Sequence, residues 1–327
     1  MEQNVLLQAE HLVQEFPAKG SKRVHAVSDV SLTIYAGETL ALVGESGCGK
    51  STLGRTLIGL LPPKAGTIAF EGREVAAMSK SERRALRRQM QLIFQDPYAS
   101  LDPRMTVRDL IAEPLEAQRV FKTREETTQR VRALMQDVGV PEEFLYRYPH
   151  QFSGGQRQRI GIARAIALQP KLIVCDEPVS ALDVSVQSQV LNLMKDLQGQ
   201  FGLTYLFISH DLSVVHFMAD RVAVMFLGRL CEVADTASLY RKPLHPYTRF
   251  LLDAVPQADP RQRGREKRVL SGELPSPIDV PTGCRFHTRC PYATEACRRE
   301  VPELREVEGR LVACHYPLTR ETDPESK

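Results

Sequence analysis

Two short apolar stretches of this chain lead directly into polar residues suited to phosphate and metal chemistry. The first, Glu38 to Val43, reads as a short buried strand, and the residues after it read as a glycine-rich loop and then a helix. The second, Lys171 to Cys175, is an apolar strand that ends in two carboxylates, Asp176 and Glu177. Strands and helices follow one another along most of the chain, which predicts an α/β fold.

The loop after the first strand has the composition of a phosphate-binding loop. It fits the pattern G-x-x-x-x-G-K-[ST], and its members are Gly44, Glu45, Ser46, Gly47, Cys48, Gly49, Lys50, Ser51 and Thr52. Backbone without Cβ atoms can point several N–H groups at triphosphate oxygens. Lys50 adds a positive charge for the β- and γ-phosphates, and the Ser51 hydroxyl suits Mg²⁺. A glycine-rich turn that binds nothing is disfavoured, because strand, loop, Lys-Ser and helix occur in order.

A second glycine-bearing helix start lies between these motifs, at Phe152 to Arg159. Ser153 is suited to cap a helix from Gly154 to Leu168. A helix N-terminus with a hydroxyl and N–H groups is an anion site, so the chain carries two predicted phosphate sites. Asp176 is suited to hold Mg²⁺, directly or through water, and Glu177 to polarise an attacking water.

The chain resembles the ATP-binding cassette (ABC) family in six motifs that occur in the family's order. Besides the phosphate loop and the carboxylate strand, they are Gln95 in Ile-Phe-Gln-Asp, Phe152-Ser-Gly-Gly-Gln, Ser180-Ala-Leu-Asp and His210 in Ile-Ser-His-Asp. The family signature begins with Leu, so Phe152 departs from it at a position that packs rather than reacts. The resemblance implies a P-loop NTPase cassette with a RecA-like core, an antiparallel β-subdomain and an inserted helical subdomain.

The same resemblance implies that two cassettes dimerise head to tail. Each ATP then lies between the phosphate loop of one cassette and Ser153, Gly155 and Gln156 of the other. Because the chain has one copy of each motif, the second cassette must come from another chain. The implied catalytic residues are Lys50, Gln95, Glu177 and His210, and the implied Mg²⁺ ligands are Ser51, Gln95 and Asp176. Phe16 fits two interpretations equally, either stacking on adenine, as an aromatic does in the family, or packing on the core at a strand end.

Other segments resemble one branch of this family, the ATP-binding subunits of dipeptide and oligopeptide importers. The resemblance rests on Phe94 to Arg104, on Leu244-His-Pro-Tyr-Thr, and on Leu270 to Pro277 with the cysteine-bearing tail that follows. We predict a nucleotide-binding domain at 1–255, with the helical subdomain at about 96–153, and an extension at 271–327. The polar, basic segment 256–270 is interpreted as a linker, with contact to a membrane surface as the alternative.

Composition limits the classes of protein that the chain can belong to. At 327 residues, 43% hydrophobic and 25% charged, the composition is that of a soluble globular protein with about two domains. The net charge of +3 argues against a general nucleic-acid binder. The apolar run Val222 to Gly228 is far shorter than the roughly 20 residues that span a bilayer. The N-terminus lacks the basic start and apolar run of a signal peptide. These features predict a chain in the cytosol, and the resemblance to importer ATPases implies a peripheral place at the cytoplasmic face of the inner membrane.

Four of the seven cysteines, namely Cys284, Cys290, Cys297 and Cys314, crowd into the tail. They are separated by five, six and sixteen residues, whereas structural zinc sites usually use pairs separated by about two to four. Iron–sulfur clusters also use four thiolates and tolerate looser spacing. With the support of the resemblance, the prediction is a [4Fe–4S] cluster. Zinc, with His287 or His315 as a substitute ligand, and four reduced thiols without metal are the alternatives.

These features together predict an ATP-hydrolysing subunit of an ABC importer for dipeptides or short oligopeptides, with ATP and Mg²⁺ as cofactors. The implied partners are a second ATPase subunit in a heterodimer, two transmembrane permeases and a peptide-binding protein, and no nucleic acid. The same machine with another cargo, such as nickel or larger oligopeptides, is one alternative. An ABC ATPase that acts on nucleic acid is the other, but such proteins tend to carry two cassettes, long insertions or strongly basic faces.

Overall fold

The computed structural model describes residues 4–96, 98–255 and 275–319. The predicted linker 256–270, the start of the extension and Pro97 in the importer-like segment lie outside the described residues. The chain divides into two compact units. The first contains the described residues up to Leu6, Ile34–Glu38 and Phe70–Ile208. The second contains Leu7–Thr33, Thr39–Ala69 and the described residues from Ser209 onward.

Strands and helices alternate along most of the described chain, in agreement with the α/β prediction. The strands are β1 (Val5–Pro17), β2 (Arg23–Tyr35), β3 (Thr39–Val43), β4 (Ala65–Phe70), β5 (Arg73–Glu74), β6 (Met90–Ile93), β7 (Leu172–Asp176), β8 (Thr204–Ser209), β9 (Arg221–Phe226), β10 (Arg229–Asp235), β11 (Arg305–Val307) and β12 (Arg310–Val312). The α-helices are α1 (Lys50–Leu57), α2 (Lys80–Gln89), α3 (Val107–Ala117), α4 (Arg124–Asp137), α5 (Gly154–Ile166), α6 (Val184–Phe201), α7 (Leu212–Met218), α8 (Thr236–Arg241), α9 (Pro246–Asp253) and α10 (Glu295–Arg299).

Three strands of the first unit, β6, β7 and β8, pair in parallel. Strand β7 pairs with β6 on one side and with β8 on the other, in the registers Leu172↔Met90 and Leu172↔Thr204. All five residues of β7 and all six of β8 are buried. Continuous apolar strands of this kind are typical of parallel sheets that are covered on both faces. Parallel pairing brings the carboxyl ends of β6 and β7, and the polar residues that follow them, to one edge.

The helical part of the first unit contains α3, α4 and α5, whose starts are fixed by side-chain caps. The Thr106 side chain accepts a hydrogen bond from the backbone N–H of Asp109, and Thr123 and Ser153 each form a capping box with the residue three positions later. Each such cap is worth about 1 kcal/mol. Helices α3 and α4 lie within residues 96–153, where the sequence predicts the helical subdomain.

The strands of the second unit form both parallel and antiparallel pairs. Strand β3 runs parallel to β9, which forms a hairpin with β10, and β10 pairs with β12 through Glu232↔Val312. Strand β12 in turn pairs with β11. The last two strands belong to the predicted C-terminal extension, so the described part of the extension adds strands to the sheet of the nucleotide fold.

Strand β2 starts earlier than its sequence pattern indicated. Alternation of apolar and polar residues is clear from Ser31 to Tyr35, which is where the sequence predicts the strand, but the strand begins at Arg23. Ala26, Val27 and Ser28 are buried in succession, and Asp29 has a positive φ of 57°. This break in the alternation hides the first half of the strand from a period-two pattern.

Aromatic side chains of the predicted nucleotide-binding domain and of the extension meet in the core of the second unit. Tyr247 lies 4.7 Å from Phe226 and 5.3 Å from Phe286, measured between ring centroids, and Phe286 lies 5.4 Å from Phe226. Tyr247 is fully buried and Phe286 is 2% exposed. Burial of each such ring contributes about 1.5–3 kcal/mol. Phe286 belongs to the extension, so the extension shares the hydrophobic core.

Candidate nucleotide-binding site

The phosphate loop of the second unit connects β3 to α1, and its glycines are required by space as well as by conformation. Gly44 has a φ of +152°, and a Cβ there would lie 2.1 Å from the Met225 carbonyl oxygen. Gly49 has a φ of +107°, and a Cβ there would lie 2.0 Å from the Ala26 carbonyl oxygen. Only glycine fits where backbone approaches backbone this closely.

Lys50 opens α1 and is only 5% exposed. Its Nζ donates to the carbonyl oxygens of Gly44, at 2.8 Å, and Glu45, at 2.9 Å. The helix has no side-chain cap at Gly49 and no acidic residue in its first turn. A helix N-terminus of this kind, next to a buried ammonium, favours an anion.

The other members of the loop differ in exposure. Ser46 and Gly47 are exposed, and Ser51 and Thr52 are half-buried. Cys48 is 1% exposed, and burial raises the pKa of its thiol. The Cys48 side chain therefore belongs to the packed base of the loop, while the hydroxyls lie nearer its surface.

In the first unit, the residues after β6 and β7 contact each other. Gln95 Nε2 donates to Glu177 Oε2 at 2.9 Å, and the paired positions Ile93↔Cys175 bring these ends side by side. Asp176 is 2% exposed, at the end of β7. Glu177 has a positive φ of 48°, an unusual conformation for a residue with a side chain, and its N–H donates to the Ile208 carbonyl oxygen at 3.0 Å. Strained backbone of this kind is concentrated at functional sites.

The signature segment is also in the first unit, at the start of α5. Ser153 Oγ accepts from the Gln156 N–H, and Gln156 Oε1 accepts from the Ser153 N–H at 3.1 Å. A Cβ at Gly155 would lie 2.4 Å from Cγ1 of Val186, so this glycine permits close packing of α5 against α6. Phe152 is 5% exposed and lies 5.5 Å from the ring of Phe144, which agrees with its interpretation as a packing residue.

The remaining candidates are His210 and Phe16, both in the second unit. His210 directly follows β8 and is exposed. Phe16 lies near the end of β1 and is half-buried. Its position is compatible with either interpretation, stacking on adenine or packing on the core. Gln95, Asp176, Glu177 and Ser153 belong to the first unit, and the phosphate loop and His210 belong to the second.

Two residues that contact the phosphate loop were not predicted from the sequence. The Tyr247 hydroxyl accepts a hydrogen bond from the Glu45 N–H at 2.9 Å, and Arg289 Nη1 lies 2.8 Å from Glu45 Oε2. Tyr247 lies in the His-Pro-Tyr-Thr segment, which the sequence indicates only as a mark of the importer branch. Arg289 stands 244 positions after Glu45, and no local pattern distinguishes it from the other arginines of the tail.

The four tail cysteines, which we call the cysteine cluster, line one pocket of the second unit together with histidine and aromatic side chains. All four are outside disulfides, and the Cys284 N–H donates to the Cys297 carbonyl oxygen at 2.8 Å. Burial raises the pKa of Cys290 to about 11 and that of Cys314 to about 12. Among the described residues, no three or more His, Cys, Asp or Glu side chains form a group arranged to hold a metal ion. The donor set matches four-thiolate chemistry, but the thiols are not closed around a common point.

Comparison with known proteins supports both the fold and the family. The profile of the family described as "ABC transporter" matches residues 27–180, and that of "Oligopeptide/dipeptide transporter, C-terminal region" matches residues 231–297. The chain is 54% identical to the di/tripeptide transport ATP-binding protein DppF of Pseudomonas aeruginosa, over 91% of this chain and 92% of that protein. It is also 54% identical to the oligopeptide transport ATP-binding protein AppF of Bacillus subtilis, over 89% of each.

Among solved structures, the chain is similar to a dimeric, post-hydrolysis state of the ATP-binding cassette MJ0796 bound to ADP and Pi. The TM-score is 0.64 at 27% identity, over 71% of this chain and 99% of that one. CbiO1 from Clostridium perfringens, part of the ABC transporter complex cbiONQ, also gives a TM-score of 0.64, at 28% identity, over 73% of this chain and 92% of that one. Within the parts of the chain that the structure describes, no helix is long and apolar enough to cross a bilayer.

Phosphate loop, carboxylate strand and signature helix, together with these matches, define an ATP-hydrolysing cassette, and the chain belongs to the ABC transporter family. Within that family it carries the C-terminal region of the oligopeptide/dipeptide transporters, which supplies part of the core of its second unit.

Proposed function

We propose that this chain energises the uptake of dipeptides or short oligopeptides as one ATPase subunit of an importer. The observation that carries the proposal is the match of residues 231–297 to the oligopeptide/dipeptide transporter region. The matched residues include Tyr247, which is fully buried in the core. The names of the two relatives, a di/tripeptide and an oligopeptide transport ATP-binding protein, support the same cargo class.

The residues that follow the strands suggest which part of the reaction each of them performs. Lys50 and the N–H groups at the start of α1 bind the phosphates, and Ser51, Asp176 and Gln95 are the residues that would hold Mg²⁺. Bound Mg²⁺ would neutralise charge on the β- and γ-phosphate oxygens. Glu177, oriented by its contact with Gln95, positions and polarises the attacking water. His210, directly after β8, would contact the γ-phosphate.

Phosphate binding is further assigned to the backbone of the loop and to the signature. The loop members are Gly44, Glu45, Ser46, Gly47, Cys48, Gly49 and Thr52. Ser153, Gly155 and Gln156 serve an ATP that is held by the partner cassette. The dimeric ADP-bound cassette among the similar structures supports this arrangement. Since each chain supplies only half of each site, the purified chain alone should hydrolyse ATP slowly, and its partners should raise the rate. A full rate from a monomer at high dilution would contradict the shared site.

The remaining partners follow from the importer proposal. They are a second ATPase that forms a heterodimer with this chain, two transmembrane permeases and a peptide-binding protein. The chain would then lie as a peripheral subunit on the cytoplasmic face of the inner membrane. The small net charge of +3 supports an assembly without nucleic acid.

The cysteine cluster is proposed to bind a [4Fe–4S] cluster with a structural or regulatory role, because four thiols line one pocket. The ligands would be Cys284, Cys290, Cys297 and Cys314, which must lose their protons to bind metal. Protein purified without oxygen should be brown and contain about four irons per chain. Colourless protein with one zinc per chain would transfer the site to zinc. Protein with neither, from cells supplied with both metals, would contradict any metal site.

Transport by the reconstituted complex tests the cargo. The chain would be purified with the second ATPase and the two permeases, placed in liposomes with the peptide-binding protein outside, and supplied with MgATP inside. ATP-dependent uptake of a labelled dipeptide, competed by unlabelled dipeptides and tripeptides, is the expected result. Uptake of nickel or of long oligopeptides, without dipeptide uptake, would contradict the cargo assignment while leaving the importer ATPase intact.

A further inference from the structure

We propose that the C-terminal extension positions the phosphate loop for ATP by holding Glu45 through the side chain of Arg289, with Tyr247 fixing the same residue's backbone. Arg289 and Tyr247 are thus positioning residues for the nucleotide. The proposal rests on the ATP-binding role of the loop and is independent of the transported cargo and of any metal in the cysteine cluster.

The contact between Arg289 and Glu45 has the geometry of a specific ion pair. Arg289 Nη1 lies 3.1 Å from Glu45 Oε1 and 2.8 Å from Glu45 Oε2. The Arg289 side chain is 7% exposed and that of Glu45 is 26% exposed. The buried Nε of Arg289 lacks a hydrogen-bond partner within the described chain. A guanidinium in this environment depends on the Glu45 carboxylate, because an unpaired buried charge is costly.

Tyr247 holds the backbone of the same loop residue. Its hydroxyl accepts the Glu45 N–H at 2.9 Å, and its ring is fully buried against Phe226 and Phe286. Phe286 and Arg289 belong to one turn, since the Arg289 N–H donates to the Phe286 carbonyl oxygen at 3.0 Å. One turn of the extension therefore supplies both the ring behind Tyr247 and the guanidinium on Glu45.

A second set of contacts supports the loop from another direction. The backbone N–H of Gly228, in the turn between β9 and β10, donates to the Cys48 carbonyl oxygen at 2.8 Å. The guanidinium of Arg285, again from the extension, donates to the carbonyl oxygen of Leu227 in that turn. The extension thus contacts the phosphate loop directly at Glu45 and, through this turn, at Cys48.

The contacts on Glu45 bear on ATP because Glu45 is part of the backbone that Lys50 also contacts. Tyr247 holds the peptide group between Gly44 and Glu45, and Arg289 holds the Glu45 carboxylate. Lys50 Nζ donates to the carbonyl oxygens of Gly44 and Glu45, and Gly44 alone would leave this backbone flexible. A loop that is already held in its binding geometry loses less freedom when a ligand binds. Removal of the Arg289 guanidinium should therefore weaken ATP binding by about fivefold to tenfold. This is less than the effect of losing a charge-assisted hydrogen bond to the ligand itself, because Arg289 acts on ATP only through Glu45.

A double-mutant cycle in the full-length chain tests this proposal. MgATP dissociation constants would be measured by calorimetry for the parental chain, Arg289→Ala, Glu45→Ala and the double variant, with thermal unfolding of each. Both single variants should weaken binding, and Arg289→Ala should add little in the Glu45→Ala background. Arg289→Lys should restore part of the affinity, and Tyr247→Phe, which removes only the hydroxyl, should give a smaller loss. In the assembled complex, KM for ATP should rise while kcat changes little.

The matched control is Arg299→Ala, because Arg299 belongs to the same extension but forms an exposed pair with Glu295 at 2.8 Å. Its MgATP affinity should equal that of the parental chain. An equal loss from Arg289→Ala with and without Glu45 would overturn the proposal, since Arg289 would then act through the fold alone. Parental affinity in Arg289→Ala would overturn it too. Failure of the parental chain to bind MgATP would overturn the ATP site itself, together with the positioning role of Arg289 and Tyr247.

Discussion

The phosphate loop and the cysteine cluster both belong to the second unit, yet they are prepared for their ligands to different degrees. In the loop, the neighbouring backbone leaves no room for a Cβ atom at Gly44 or Gly49. Lys50 already donates to two carbonyl oxygens of the loop. In the cluster, four thiols line one pocket without forming a ligand group. A site built from backbone donors is complete once the chain has folded, whereas a thiolate site must lose protons and close around its metal.

This difference has a consequence for how the two sites respond to change. Substitutions other than to proline leave the backbone N–H groups in place, so the loop is sensitive chiefly to added side chains and to the loss of Lys50. The metal site proposed for the cysteine cluster would be sensitive to the loss of single thiols. Burial raises the pKa of Cys290 and of Cys314, so both thiols stay protonated without a metal. The turn with Phe286 and Arg289 lies between Cys284 and Cys290 and contacts the loop, which makes it the place where the two sites can influence each other.

The largest expected effect is on the rate of ATP hydrolysis, and ligand binding at the phosphate loop and at the cysteine cluster should not change. Glu177→Gln should reduce ATP hydrolysis by about 10²- to 10⁴-fold, because it removes the group that polarises water. MgATP binding and metal content should remain near parental values. Single-turnover hydrolysis and calorimetric binding on the same preparation measure both quantities. Loss of binding, with hydrolysis per bound ATP unchanged, would refute the role of Glu177.

Removal of the ring that joins the extension to the core should have the next largest effect. Phe286→Ala should lower the free energy of unfolding of the second unit by about 3–5 kcal/mol, because Phe286 is 2% exposed and packs on Phe226 and Tyr247. Thermal unfolding followed by circular dichroism measures the change. Val301→Ala, at a position of the extension that is 45% exposed, is the control. Equal midpoints for the two variants would contradict the shared core.

Replacement of the loop's cation should act on the nucleotide alone. Lys50→Ala should weaken MgATP binding by about ten- to hundredfold, the equivalent of a lost charge-assisted hydrogen bond. The iron or zinc content of the same preparation should not change, because Lys50 contacts carbonyl oxygens of the loop and lies outside the cysteine pocket. Metal analysis beside calorimetry would show whether the two sites respond separately, and a parallel loss of metal would contradict this.

The smallest expected effect on nucleotide binding comes from substitutions in the cysteine cluster. Cys290→Ser with Cys297→Ser should remove the metal and loosen the extension, seen as faster cleavage by a protease. MgATP affinity should fall by no more than it does in Arg289→Ala, because Arg289, the residue before Cys290, contacts the loop. Cys231→Ser, a buried cysteine outside the cluster, is the control for metal content. A larger loss of affinity than in Arg289→Ala would mean that the cluster acts on ATP by another route.

Local patterns were sufficient to predict the helix that follows the signature. The sequence predicts a helix at 154–168, and the structure has α5 at Gly154–Ile166. The cap at Ser153 and the packing role of Phe152 also follow from their immediate neighbours in the sequence. The first half of β2 was missed because its burial does not alternate.

The sequence by itself therefore determined the family, the phosphate loop and the carboxylates at the strand ends, because each depends on residue types at short, fixed spacing. Only the tertiary structure decided that β12 pairs with β10, that the four cysteines share a pocket, and that Arg289 and Tyr247 hold Glu45. The paired residues Glu232 and Val312 are about 80 positions apart, and Glu45 and Arg289 are 244 positions apart. Their partners are selected by shape, burial and charge in the folded chain, and no periodicity or spacing along the sequence encodes them.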